Sequence, residues 1–116
     1  MLAVVAMSGE ALSTSGDYER YLEQDGRRYC HIMDPRTGCP ASSDLAAVTV
    51  VVDGDMEDAG MMADMLSTAV FVLGSSEGRR LIESLPEGIS CAMSDADGNV
   101  TAICGMEERL ELQAAR

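Results

Sequence analysis

The chain of 116 residues carries 8 Arg and no Lys against 20 Asp and Glu, a formal net charge of −12. Its length fits a single domain, 1–116, with one modest core, and 47% hydrophobic with 24% charged residues is a globular mixture. Without a basic stripe it is unsuited to nucleic-acid phosphates or to anionic membrane surfaces; a nucleotide held through a divalent cation stays open, because the metal supplies the positive charge.

The first run, Leu2 to Met7, is Val-rich and closed by Ser8-Gly9, which suits a strand. It lacks the positive region of an export signal. Ser13-Thr14-Ser15-Gly16-Asp17 is a cluster of turn formers. Tyr18 to Gln24 and Arg27 to Met33 flank Asp25-Gly26, a strong hairpin signal, since both central residues of a type I′ turn need positive φ. That turn pairs Gln24 with Arg27, Leu22 with Tyr29, Arg20 with His31 and Tyr18 with Met33. It also puts Tyr29, His31 and Met33 on one strand face.

Asp34-Pro35-Arg36-Thr37-Gly38 ends the hairpin, and Val48 to Val52, apolar on both faces, reads as a buried strand. From about Glu57 to Leu73 the pattern turns helical through Met62, Leu66, Ala69, Val70 and Leu73. Met61, Met65 and Val72 fill the other side and predict a helix buried nearly all round, with Gly74 as its terminal cap. Glu77 to Leu85 reads as a second, amphipathic helix stopped by Pro86. Ile89 to Ser94 and Asn99 to Cys104 form a hairpin around Asp97-Gly98, and the tail from Glu107 is a short strand or frays. No run reaches about 18 apolar residues, so no membrane-spanning segment is expected. The fold class is α+β: a largely antiparallel sheet built from two hairpins and a buried strand, with two helices packed on one side.

Between Met61 and Leu73 the polar side chains are Asp64, Ser67 and Thr68, at i, i+3 and i+4 on one stripe. A carboxylate in an apolar helix must be paired or ligate a metal, and with neighbouring hydroxyls it suits a hard cation such as Mg²⁺. The alternative is that Ser67 and Thr68 bond back to their own helix and Asp64 caps a neighbouring backbone. His31, the sole histidine, is either an inward-facing general base or a structural hydrogen-bonded ring. Arg36 either clamps a phosphate or pairs with a carboxylate.

Among the cysteines, Cys30 falls on the strand face opposite His31, Cys39 lies beyond the turn, and no zinc-type spacing is present. A turn at Asp97-Gly98 sets Cys91 opposite Cys104. There a cross-strand disulfide is sterically allowed, and two buried thiols are the alternative.

Four strings occur in order: Ser13 to Tyr21, His31 to Gly38, Val48 to Val51 and Ala63 to Gly74. Together they resemble the carboxy-terminal part of the FAD:protein FMN transferases, the ApbE family. The resemblance implies a Mg²⁺-dependent reaction in which a Thr or Ser hydroxyl of an acceptor flavoprotein attacks the pyrophosphate of FAD. FMN becomes linked to that hydroxyl and AMP leaves. It implies that Asp64, Ser67 and Thr68 bind the metal, that His31 deprotonates the hydroxyl, and that Met33 packs on FAD. It further implies an amino-terminal half, in the same chain or a partner subunit. Family members usually sit in the cell envelope, often lipid-anchored; this sequence shows neither export signal nor lipid-attachment cysteine, and its compartment is left unassigned. The alternatives within the same fold are a non-catalytic binding remnant and an FAD pyrophosphatase.

Overall fold

The computed structural model describes residues 3–5, 7–17 and 21–112. In chain order its elements are β1 (Ala3–Val5), β2 (Glu10–Gly16), β3 (Tyr21–Gln24), β4 (Arg27–Cys30), β5 (Met33–Asp34) and β6 (Cys39–Pro40). There follow β7 (Ala47–Asp53), α1 (Ala59–Glu83), β8 (Ile89–Ser94), β9 (Val100–Ile103), α2 (Met106–Arg109) and β10 (Leu110–Leu112). The architecture is α+β. Its centre is an antiparallel sheet in the order β2-β7-β8-β9, with β3-β4, β5-β6 and β1-β10 as separate two-stranded ladders.

The β-branched run builds β7, the strand that divides the core. Val48, Val50 and Val52 point to the side covered by α1, where they meet Ala63, Val70, Phe71 and Ile82. Val51 points the other way, against Ala92 and Met106, with Val5 and Leu110 packed around them. Both helical segments expected from the sequence therefore lie on one face, while β1, β10 and the unforeseen one-turn α2 close part of the other. Arg109 of α2 pairs with Glu10 at the start of β2.

α1 is long and apolar enough, by length and composition, to cross a membrane. It is instead broken at Gly74, whose φ of 88° and ψ of 176° are non-helical, so two segments meet at a kink. Asp44 occupies the notch: its carboxylate accepts the Ser75 N–H at 2.9 Å and the Ser75 hydroxyl. A Cβ at position 74 would stand 2.9 Å from that carboxylate. Glycine is thus required twice, by conformation and by space.

Several expectations need correction. Ser13 to Gly16 is strand, not turn, because β2 pairs with β7 along its whole length, from Glu10 opposite Asp53 to Gly16 opposite Ala47. Its hydroxyls find partners there, as in the 2.8 Å contact between Thr14 and Thr49. Propensity yields to register. α1 is not buried all round: Met61 and Met65 are 58% and 60% exposed, because the sheet covers only one side of the helix.

The first hairpin turns at Asp25-Gly26 with φ of 53° and 77°, and pairs Gln24 with Arg27 and Leu22 with Tyr29 as expected. The expected pairings of Arg20 and Tyr18 lie outside the described residues, as do residues 113–116 of the tail. The second hairpin is displaced by one residue. Asp95, not Ala96, faces Asn99, and its carboxylate accepts the N–H groups of Asp97 and Asn99, which fixes a three-residue loop. Cys91 therefore faces Ile103, and Cys91 and Cys104 are free thiols, of which Cys91 is buried and Cys104, beyond the end of β9, is exposed.

Two measurements follow from these contacts. Gly74→Ala should destabilise the chain by about 1–3 kcal/mol, the usual cost of forcing a side chain into a left-handed position, read as a lowered urea midpoint. Burial pushes the Cys91 thiol up to about 12, whereas Cys39 is exposed. At pH 8, iodoacetamide should modify Cys39 in the native protein and Cys91 only after unfolding, as read by peptide mass spectrometry.

Candidate functional site

The helical stripe of polar residues does not stand alone. Ser13 and Ser15, at i and i+2 on β2, share the face turned to α1, while Thr14 between them faces away to Thr49. Ser13 Oγ donates to Asp64 Oδ1 at 3.3 Å. Ser15 Oγ lies 2.9 Å from Ser67 Oγ and 3.1 Å from Thr68 Oγ1. Ser67 Oγ donates to the main-chain carbonyl of Asp64 at 3.0 Å. Five residues from two elements thus form one all-oxygen cluster, graded from the fully buried Ser67 through the half-buried Thr68 to the exposed Asp64.

The back-bonding reading of the stripe holds in part. Ser67 does bond back to its own helix. Asp64, though, is no buried carboxylate needing rescue; it faces solvent beside Met61 and Met65. The seclusion expected for it belongs to Ser67 alone. Ser13 and Ser15 were hidden by their turn-like composition; period-two reading of Ser13 and Ser15 is the signal that would have found them.

β4 ends at Cys30, and His31 occupies a bend. In the next stretch Ile32 and Asp34 are buried while His31 and Met33 are exposed. His31 and Met33 do share a side, but it is the outer one: Ile32 takes the place in the core. The inward-facing histidine expected from the sequence is replaced by one open to solvent.

The loop after it is stapled down. Asp34 accepts from Arg36 through Nε at 3.0 Å, Nη2 at 2.9 Å and the backbone N–H at 2.9 Å. Arg36 reaches on to the Val72 carbonyl at 3.4 Å and stands 3.8 Å from Glu77. So Arg36 is a carboxylate partner that ties the loop to α1. The anchor at Val72 is eight residues along the helix from Asp64, or about 12 Å at helical rise.

A cavity of about 720 Å³ opens on the opposite face of the sheet, between Thr14, Thr49, Ala92 and the β1-β10 ladder; none of the five candidate residues lines it. Among the described residues no cluster of three His, Cys, Asp or Glu side chains could hold a metal. Any cation at α1 would be held by a single carboxylate with hydroxyls. Such a set fits Mg²⁺, which is commonly bound through one or two carboxylates and keeps other positions for phosphate and water.

The ApbE family's sequence profile matches residues 1–93. The chain is 37% identical over 113 residues to the FAD:protein FMN transferase of Treponema pallidum, covering 97% of this chain and 30% of that protein. Its fold superimposes on the crystal structure of the ApbE protein from Thermotoga maritima with a TM-score of 0.72 at 29% identity, over 92% of this chain and 37% of the other. It also matches the Pseudomonas stutzeri flavinyl transferase ApbE, with a TM-score of 0.65 at 40% identity, over 90% and 32%. The chain spans between 30% and 37% of the length of these relatives.

The staples around α1 make its seating acid-sensitive. Hydrogen bonds from Arg36 hold the Asp34 carboxyl below the usual range, and those from Ser75 do the same for Asp44. A carboxyl whose folded pKa is depressed adds stability above its unfolded pKa, about 3.9, and loses it as pH falls through the folded value. Urea midpoints should therefore drop as the pH falls below about 4. Asp34→Asn and Asp44→Asn should each lower the midpoint at pH 7 and flatten that acid decline.

Proposed function

Because the chain belongs to the ApbE family, we propose that it forms the acceptor-facing part of an FAD:protein FMN transferase. In this reading FMN passes from FAD to a Thr or Ser hydroxyl of a target flavoprotein and AMP is released. The observation that carries it is the oxygen cluster between β2 and α1. It presents an exposed carboxylate and braced hydroxyls on a chain with no lysine to meet a pyrophosphate.

Asp64, Ser67 and Thr68 would hold Mg²⁺, whose contribution when bound is to offset negative charge growing on the pyrophosphate. The chain's own residues do the rest. His31, open on the bend after β4, takes the proton from the incoming hydroxyl as its oxygen bonds to the FMN phosphorus. The bond from that phosphorus to the bridging oxygen breaks, and AMP carries the oxygen away. Met33, exposed two residues on, offers apolar surface to the flavin. The Asp34–Arg36 staple fixes the loop that carries both. The chain's share of its relatives' length supports a site completed by further sequence, in the same chain or in a partner subunit.

The test mixes the chain, supplied with the amino-terminal part that completes the site, with FAD, Mg²⁺ and a candidate acceptor flavoprotein, then reads fluorescence on a denaturing gel and AMP by chromatography. A covalently fluorescent acceptor with equimolar AMP is the expected result. AMP without labelling identifies a pyrophosphatase, and FAD retention without AMP a binding remnant. Asp64→Ala should abolish Mg²⁺-dependent FAD retention. His31→Ala should keep that retention and lower transfer by about 10²- to 10⁴-fold, the usual worth of a general base.

A further inference from the structure

Proton counting gives the hydroxyl cluster a direction. Ser67 Oγ carries one proton. The Asp64 carbonyl at 3.0 Å can only accept it, and the other acceptor in reach on that side is Ser13 Oγ at 3.5 Å. Only when the Ser67 proton goes to the carbonyl can all three contacts carry a hydrogen bond at once, and in that order Ser15 is the donor in its 2.9 Å contact with Ser67. That commits the one proton of Ser15. In its 3.1 Å contact with Thr68, Ser15 can then only accept, and Thr68 must donate. The chain runs Thr68 to Ser15 to Ser67 to the Asp64 carbonyl, and Ser15 at its middle is buried.

We propose that Ser15 is a positioning residue that locks the Thr68 proton inward. With that proton engaged, Thr68 Oγ1 has only lone pairs left to offer, which is the state a divalent cation requires. A hydroxyl free to rotate would turn its proton toward the cation part of the time, and ordering it would cost affinity. Ser13 does the matching service for Asp64, orienting the carboxylate through Oδ1. The cation's presence rests on the function proposed above; the proton order rests on the hydrogen bonds alone.

The two are separable by experiment. In the metal-free, isotopically labelled chain, the three-bond coupling between Thr68 Hβ and its hydroxyl proton should report a single rotamer. An averaged coupling, or a proton that exchanges too fast to be seen, overturns the lock. Ser67→Ala leaves the Ser15–Thr68 contact in place but frees the Ser15 proton, so the Thr68 coupling should become averaged. Mn²⁺ affinity, read by electron paramagnetic resonance, should then fall by about 5- to 10-fold, the worth of one hydrogen bond. Ser15→Ala should do the same, and Thr68→Ser should bind Mn²⁺ as the wild type does.

Weaker Mn²⁺ binding in Ser67→Ala with the coupling still single-valued would leave Ser67 acting as a ligand only and overturn the relay. Unchanged affinity in both alanine variants overturns the role given to Thr68. A wild-type chain that binds no Mn²⁺ overturns the cation reading, while the metal-free coupling still decides the proton order. Thermal melts establish that each variant is folded; if Ser15→Ala is not, Ser67→Ala carries the comparison.

Discussion

The seam between β2 and α1 governs both the fold and the candidate site. Hydroxyls buried against an apolar helix cost free energy unless each finds a partner. Here Ser15 and Ser67 satisfy one another, and among the described residues no buried side-chain oxygen or nitrogen lacks a hydrogen bond. The pairing of β2 with β7 sets which residues reach the seam. A slip of one residue would bring Thr14 toward α1 and turn Ser13 and Ser15 away, emptying the cluster. The contacts that make burial tolerable are thus the contacts that orient Asp64 and Thr68.

Acidic residues do the remaining work of positioning, which is how a chain at −12 uses part of its excess charge. Asp44 fills the notch at Gly74 and accepts the N–H and hydroxyl of Ser75 at the start of the second helical segment, and Asp34 curls Arg36 back over the loop that carries His31. Neither aspartate belongs to the oxygen cluster. Both set the angle at which the loop and the helix meet, and so the place of an exposed imidazole relative to the helical stripe.

Much of this was legible in the sequence. The β-branched run of β7, the Asp25-Gly26 turn and the helical break at Gly74 each follow from strong local chemistry. So did the grouping of Asp64, Ser67 and Thr68, since helical spacing needs no knowledge of what lies across from it. What escaped depended on pairing at a distance. Ser13-Thr14-Ser15 has the composition of a turn and becomes strand only because β7 offers it a complete ladder. The second hairpin moved by one residue because the Asp95 carboxylate gathers the loop N–H groups, a side-chain preference that the Asp-Gly signal does not contain. The burial assigned to Asp64 failed for a similar reason: apolarity around a helix does not say which side a sheet will cover.

The central claim is that the stripe on α1, braced from β2, holds a divalent cation. Paramagnetic broadening of backbone amide signals by substoichiometric Mn²⁺ tests it directly, since relaxation falls steeply with distance from the ion. Broadening centred on Asp64 and Thr68, spreading next to Ser13 across the seam, is the expected pattern. Broadening centred on the acidic turn at Asp95 and Asp97, with the α1 signals untouched, would contradict it.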